Sequence, residues 1–445
     1  MKKIVIVGAV GGGATAAGQL RFYNPDVQIV VFDRDSTMSY AACGTPYVIG
    51  DVIEDEQSIV LTNPEKFKKK RDIDVKLGHE VKEIDRATKK VLVQNLETGD
   101  QFEETYDALI LAPGGSAIVP KIDGLDSSQV FTLRNFEDMQ RIDRFIKNKK
   151  PESCIVSGGG FIGLEMAENL KNLGLDVSLV HRSPAIMSIL DTDISLMIEK
   201  ELAVQGVKLL TGTEMVKTDG KTIKLSNGIE LHADFIIMSV GLRPNTGLAV
   251  KAGLKIGETG GIQTNEFMQT DDPSIYAIGD ASENFDMVTG APKRVPLASP
   301  AHRQAFIAAR HILGDKIAKK GLLGTSVLKI FSLTAAMTGL NEKTIKDKNL
   351  EYATVTHNGI SNAGYYPDHS KITLKVHYNP QTRKILGAQC IGGKGVDKRI
   401  DVIVTAIYAG LTIDDLQALE LCYAPPYSSP KDPINMVGYK AINDN

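Results

Sequence analysis

Two glycine turns, about 150 residues apart, decide most of what this chain can become. The first lies in KIVIVGAVGGGATAAGQLRFYNPDVQIVVFDRD, residues 3 to 35, and the second in SCIVSGGGFIGLEMAENLKNLGLDVSLVHRS, residues 153 to 183. Each reads as a β-branched run, a glycine turn, a helix-like stretch and a second β-branched run, which is a βαβ unit. Two such units predict two bound dinucleotides.

The second copy has the full G-x-G-x-x-G fingerprint in Gly158, Gly160 and Gly163, followed into the helix by Phe161 and Ile162. The first glycine allows the tight turn, the second lets a pyrophosphate approach the backbone, and the third lets helix and strand pack closely. In the first copy Val10 takes the middle position between Gly8 and Gly13, with Gly11 and Gly12 beside it. Asp33 closes that copy's second strand, followed by Arg34, where an acid binds a ribose hydroxyl. The second copy has His181-Arg182 there instead. An arginine meets a 2′-phosphate through a charge-assisted contact that an acid would repel, so NADPH is expected over NADH, with NADH possible. The plainer alternative is glycines that only turn the chain and a solvated His-Arg pair.

At 445 residues the chain needs two or three domains. Its net charge of −3 argues against a nucleic-acid partner. The run Lys68-Lys69-Lys70-Arg71 is expected on a solvated face or at a local phosphate site. No stretch approaches the roughly 18 apolar residues of a membrane helix. The opening MKKIVIVGAVGGGATA has the outline of a signal peptide, but glycines interrupt its apolar run. The four cysteines, Cys43, Cys154, Cys390 and Cys422, lie far apart without metal-ligand spacing. A cytoplasmic protein with no structural metal is therefore expected. Cys154 and Cys390 fall in apolar strands and should be core. Cys422 is also expected in the core, with a place beside Tyr423 near the site as the alternative.

Further motifs follow: YDALILAPGG at 106–115, ADFIIMSVGLRPN at 233–245 and TDDPSIYAIGDAS at 270–282. After residue 320 the texture changes to hairpin strands and helices, a separate α+β domain. This ordering resembles the pyridine nucleotide-disulfide oxidoreductase family over the whole chain. The resemblance implies an α/β fold with two Rossmann-like domains, for FAD and NADPH, and a C-terminal α+β dimerisation domain. The FAD domain would comprise 1–112 and 240–320, the NAD(P)H domain 113–239 and the dimerisation domain 321–445. FAD would meet Gly8, Val10, Gly11, Gly12, Gly13, Asp33, Arg34, Val81, Ala112, Gly279, Asp280, Leu297 and Ala298. NADPH would meet Gly158, Gly160, Phe161, Ile162, Gly163, His181, Arg182 and Gly241. A homodimer would share its active sites.

Disulfide reductases of this family carry two cysteines four residues apart after the first βαβ unit. Here MSYAACGTPYVIG, residues 38 to 50, has Cys43 alone. SYAAC resembles the S-F-x-x-C motif of the coenzyme A disulfide reductases, and YAPPYSSPKDPINMVGYKA, residues 423 to 441, resembles their tail. That implies a cysteine alternating between thiol and mixed disulfide with coenzyme A, which is both substrate and Cys43 adduct. Two tyrosines of the partner subunit would approach it, by position Tyr423 and either Tyr365 or Tyr366. Thr15, Gln19, Arg21, Ser39, Ala42, Arg71, His302, Arg303 and Lys431 would line the coenzyme A channel. Tyr40, Ala42 and Phe22 depart from the subfamily pattern, which often has Phe, Asn and Arg there.

Read from its residues, GTPYVIGDVI is a helix with Pro46 in its first turn, and a thiol at a helix N-terminus has its thiolate favoured. The expected chemistry reduces a small-molecule disulfide with electrons from NADPH through FAD, the substrate supplying the second sulfur. Rival chemistry is an NAD(P)H oxidase or peroxidase cycling a Cys43 sulfenic acid, or a persulfide or polysulfide reductase. Oxidases often place a histidine in the first glycine turn, where this chain has Gly11. A non-catalytic redox-sensing flavoprotein is the alternative outside enzymes.

Overall fold

The computed structural model describes residues 2–125, 127–220 and 222–443. Strand Lys3–Val7, helix Gly11–Tyr23 and strand Gln28–Phe32 form the first βαβ unit. A five-stranded parallel sheet grows from it in the order Ile275–Ala277, Ala108–Leu111, Lys3–Val7, Gln28–Phe32, Asp74–Lys76. Alternation along Lys3–Val7 divides its side chains between two cores. Ile4 and Ile6 pack with Ala16, Leu20 and Ala305, whereas Val5 packs with Val81, Val91 and Leu109. Helices Gly11–Tyr23 and Ala298–Ile312 thus cover one face, and the antiparallel strands His79–Asp85, Lys90–Asn95 and Gln101–Thr105 contribute to the other.

The second βαβ unit repeats this plan. Its parallel sheet runs Lys208–Thr211, Asp176–His181, Ser153–Ser157, Phe235–Met238, Val130–Thr132. A five-stranded antiparallel sheet follows, in the order Ser326–Ile330, Leu333–Gly339, Ile385–Gly392, Lys371–Tyr378, Ala353–Ile360. Helices Val396–Ala409 and Pro433–Asn443 close its core through Ile400, Ile403, Val437 and Ala441.

In each parallel sheet the strand order reverses beside the glycine turn, which is where open α/β sheets bind ligands. The reversals fall between Lys3–Val7 and Ala108–Leu111, and between Ser153–Ser157 and Phe235–Met238. The chain makes the same two close approaches at both. A Cβ on Gly8 would lie 2.2 Å from the Ala112 carbonyl oxygen, and one on Gly158 2.3 Å from that of Ser239. A Cβ on Gly13 or Gly163 would lie 1.8 Å from the carbonyl oxygen of Gly8 or Gly158.

The chain divides into two compact units, 1–118 with 133–145 and 241–322, and 119–132 with 146–240 and 323–445. Two segments need a reason for the unit in which they fall. Residues 133–145 join the first unit because Arg134 donates to the Gly115 carbonyl (2.6 Å) and Asp280 (2.8 Å), and Gln140 to Glu56 (2.8 Å). The C-terminal sheet joins the second βαβ unit because buried Asp191 accepts from His377 (2.8 Å) and Lys375 (2.9 Å). Among the described residues no helix is long and apolar enough to cross a membrane. No group of three or more His, Cys, Asp or Glu among them is placed to hold a metal ion.

Candidate active site

Cys43 sits in a 3-10 turn, Ala42–Gly44, and is exposed. Backbone bonds hold this segment against the first glycine turn: Ser39 N–H donates to the Ala9 carbonyl (2.9 Å) and Ala41 N–H to that of Ile59 (2.8 Å). Ser39 takes a positive φ of 47°, a conformation a non-glycine residue adopts only where its surroundings over-determine it. Tyr40 is buried, its ring 5.7 Å from that of Phe136, so the phenol that replaces Phe keeps the aromatic packing.

The helix after Cys43 is shorter than the sequence suggests, spanning only Thr45–Ile49. Asp51 at φ 54° turns the chain, and the N–H groups of Val52 and Ile53 fold back onto the Tyr47 carbonyl. Electrostatic help for a thiolate therefore comes from the N–H groups of about one turn rather than from a long dipole. Cys154 and Cys390 are buried, and desolvation pushes both thiols up to about 12. Cys422 is exposed rather than core, because it lies in an irregular segment outside the strands and helices.

Thr15, Gln19 and Arg71 gather along helix Gly11–Tyr23, joined by His302. Thr15 Oγ1 lies 2.7 Å from His302 Nδ1, and Arg71 Nη1 reaches the Gly18 carbonyl at 3.4 Å. Ala42 and Arg303 belong to the same unit, Arg303 exposed on helix Ala298–Ile312. Arg21 is engaged by backbone carbonyls. Its Nε donates to the Arg71 carbonyl (2.8 Å), Nη2 to that of Asp72 (3.0 Å) and Nη1 to that of Pro25. The guanidinium closes the C-terminus of helix Pro64–Arg71, whose last carbonyls lack intrahelical partners. Arg21→Gln should cost about 1–2 kcal/mol, seen as a lower Tm, and leave the substrate KM unchanged. A KM rise of tenfold at unaltered Tm would return Arg21 to the channel.

In the second unit Tyr365 and Tyr423 meet, their hydroxyl oxygens 3.1 Å apart and both side chains exposed. Tyr365, not Tyr366, is thus the partner of Tyr423. The hydrogen bond to Tyr365 holds the Tyr423 phenol above its ordinary range, so it stays protonated and able to donate. Lys431 lies in the same unit, its Nζ 5.6 Å from the Tyr439 ring.

Both glycine turns fit a dinucleotide. Helices Gly11–Tyr23 and Phe161–Asn172 have no side-chain cap and no acid in their first turns, whereas Asn63 and Asn341 cap helices Pro64–Arg71 and Glu342–Asp347. Their first N–H groups are left for an anion. A Cβ on Gly11 or Gly160 would meet nothing within 4 Å, and neither has a positive φ. Packing does not require glycine there, so close approach of a ligand is the remaining reason. Asp33 accepts from Ala9 N–H (2.6 Å) and Asp35 N–H (2.9 Å), fixing the carboxylate at the turn, while Arg34 is exposed. Leu297 and Ala298 open helix Ala298–Ile312, again without a side-chain cap. Val81 sends its side chain into the core beside a strand irregularity, leaving its main chain for any cofactor contact.

At the second turn His181 Nδ1 accepts from Gly159 N–H (3.2 Å), which assigns the ring proton to Nε2. That Nε2 is buried close to the Ala185 backbone, and desolvation lowers the imidazole's pKa, so the ring is neutral with its proton on Nε2. Arg182 is exposed beside it. Gly241, at φ 133°, lies in the first unit, its carbonyl accepting from Ile118 N–H (3.0 Å).

The models of pyridine nucleotide-disulphide oxidoreductases and of their dimerisation domain match residues 2–305 and 325–432. The chain belongs to the pyridine nucleotide-disulphide oxidoreductase family. The family depends on FAD and a pyridine nucleotide. A Staphylococcus aureus coenzyme A disulfide reductase is 42% identical over 442 residues, 99% of this chain and 100% of that protein. The reduced Bacillus anthracis CoADR-RHD superposes with a TM-score of 0.98 at 43% identity, covering 99% of this chain and 80% of that one. An NAD-dependent persulfide reductase from A. fulgidus gives 0.96 at 36% identity, covering 99% and 83%.

Several site residues carry no sequence signal. Arg134 holds Asp280, and buried Gln304 accepts from Gly279 N–H (2.6 Å). Glu165, on the helix after the second turn, has its carboxyl pushed up to about 7 by burial and then by Glu168. None belongs to a motif: Arg134 and Gln304 act through partners distant in sequence, and burial rather than spacing raises Glu165.

Proposed function

We propose that this enzyme reduces coenzyme A disulfide to two thiols with NADPH, through a Cys43–S–S–coenzyme A mixed disulfide. One observation carries the reading: Cys43 is an exposed thiol on a turn fixed to the first dinucleotide turn, with no second cysteine in its segment. The second sulfur must arrive with the substrate. The Cys43 thiolate attacks one sulfur of the disulfide, the S–S bond breaks, and one coenzyme A thiolate leaves with a proton from the Tyr365–Tyr423 pair. FAD held by Asp33 and Asp280 would supply the redox chemistry, so that the hydride of NADPH, two electrons and a proton, would leave the mixed disulfide as the Cys43 thiolate and the second coenzyme A thiol.

Thr15, Gln19, Ser39, Arg71 and His302 hold the incoming substrate. Asp33 and Asp280 hold FAD, and Arg182 selects the 2′-phosphate of NADPH. The protein works as a cytoplasmic homodimer, Tyr365 and Tyr423 of one protomer serving Cys43 of the other. Support comes from the 42% identity to a coenzyme A disulfide reductase and from the dimerisation-domain match.

The test is anaerobic NADPH oxidation with coenzyme A disulfide, cystine, glutathione disulfide and a persulfide compared. Preference for coenzyme A disulfide by about tenfold or more is expected. Preference for the persulfide, or turnover only once air is admitted, would overturn the assignment.

A further inference from the structure

The two exposed tyrosines stand on irregular segments far apart in sequence, yet their hydroxyls meet at 3.1 Å. Ordinary surface loops do not hold such a distance, so something beneath them must set it. Arg399, on helix Val396–Ala409, is fully buried directly below both segments. Its Nη2 donates to the Ser361 carbonyl (2.7 Å), where the Tyr365 segment begins, and to Asp432 Oδ2 (2.8 Å). Nε donates to Asp432 Oδ1 (3.2 Å) and Nη1 to the Gly395 carbonyl (2.9 Å). Asp432, 1% exposed, accepts from Ser428 Oγ (2.6 Å) on the segment that follows Tyr423. Asn362 then crosses between the segments, Nδ2 to the Pro425 carbonyl at 3.2 Å, as does Ala363 N–H at 3.3 Å.

We propose that the buried Arg399–Asp432 pair is the positioning device of the active site, fixing the Tyr365 and Tyr423 segments so that the two phenols form one proton donor. This rests on the reading that these hydroxyls protonate the departing thiolate. A buried ion pair is an inefficient way to stabilise a fold, since desolvation offsets its attraction, but its directional bonds fix register. Each acceptor of Arg399 belongs to a different segment: Ser361 to one, Asp432, to which Ser428 donates, to the other, and Gly395 to the helix N-cap. An apolar pair of the same volume would fill the space without choosing the distance between the hydroxyls.

The experiment is a double-variant cycle on the flavin-loaded enzyme, reading anaerobic coenzyme A disulfide turnover, the rate of flavin reduction by NADPH, and Tm. Tyr423→Phe should lower disulfide kcat about tenfold, a small effect for a general acid because thiolates leave readily. Ser428→Ala should lower it roughly threefold to tenfold, and Arg399→Lys by a comparable factor, with flavin reduction within about twofold of the parent in each case. In the Tyr423→Phe background, Ser428→Ala should cost nothing further, because the proton donor it positions is already gone. Arg399→Met risks misfolding, so Ser428→Ala carries the test. The same kcat loss from Ser428→Ala in both backgrounds would overturn the proposal, as would equal losses in flavin reduction and disulfide turnover. Parental turnover by Tyr423→Phe alone would instead remove the proton-donor reading, and the positioning role with it.

Discussion

Replacing Cys43 with serine is expected to lower disulfide turnover by about a thousandfold or more, while the flavin stays bound and is still bleached by NADPH. The reason is chemical rather than structural. Serine has no sulfur with which to form a mixed disulfide, and its hydroxyl is not ionised near neutral pH, so exchange has no route. The side chain is exposed on its turn, and such substitutions change stability by only about 0.5 kcal/mol. Retained disulfide turnover in this variant would sink the mechanism. Loss of flavin reduction as well would mean that Cys43 has a structural part in the first unit.

Arg182→Glu is expected to raise the KM for NADPH about a hundredfold and to leave that for NADH level or lower. Removing a charge-assisted contact to the 2′-phosphate costs about 1.5–3 kcal/mol, and an acid adds repulsion. At the same strand end an acid accepts from the ribose hydroxyl that NADH presents. Arg182 is exposed, so the fold should not notice the change. Steady-state kinetics with both nucleotides decides it: equal effects would mean that the arginine does not read the 2′-phosphate. His181 would then be the residue to change, since its ring stands at the same strand end.

The dinucleotide turns were legible because their glycines answer to local geometry. Gly8 and Gly158 need positive φ, and Gly13 and Gly163 leave no room for a Cβ, so the chain must write glycine at those intervals. The place of Cys43 on the turn before a helix was legible for a similar reason, because Pro46 marks that helix's first turn. The length of its helix was not, because the turn at Asp51 depends on carbonyls and N–H groups that no periodicity records. The three carbonyls that Arg21 meets were not legible, because a basic residue on that helix face reads the same whether it meets a phosphate or carbonyls.

From the sequence alone came the two βαβ units, the C-terminal α+β segment, a first-unit cysteine without a second thiol in its segment and the basic strand end of the second turn. Each rests on contacts among near neighbours, where residue type and spacing are nearly the whole cause. Tertiary structure alone decided that Tyr365 rather than Tyr366 meets Tyr423, that Arg134 and Gln304 hold the Asp280 segment, and that Arg399 lies beneath the tyrosines. Those pairings join residues 25 to 146 positions apart, and a buried hydrogen bond is satisfied by whichever partner the fold delivers.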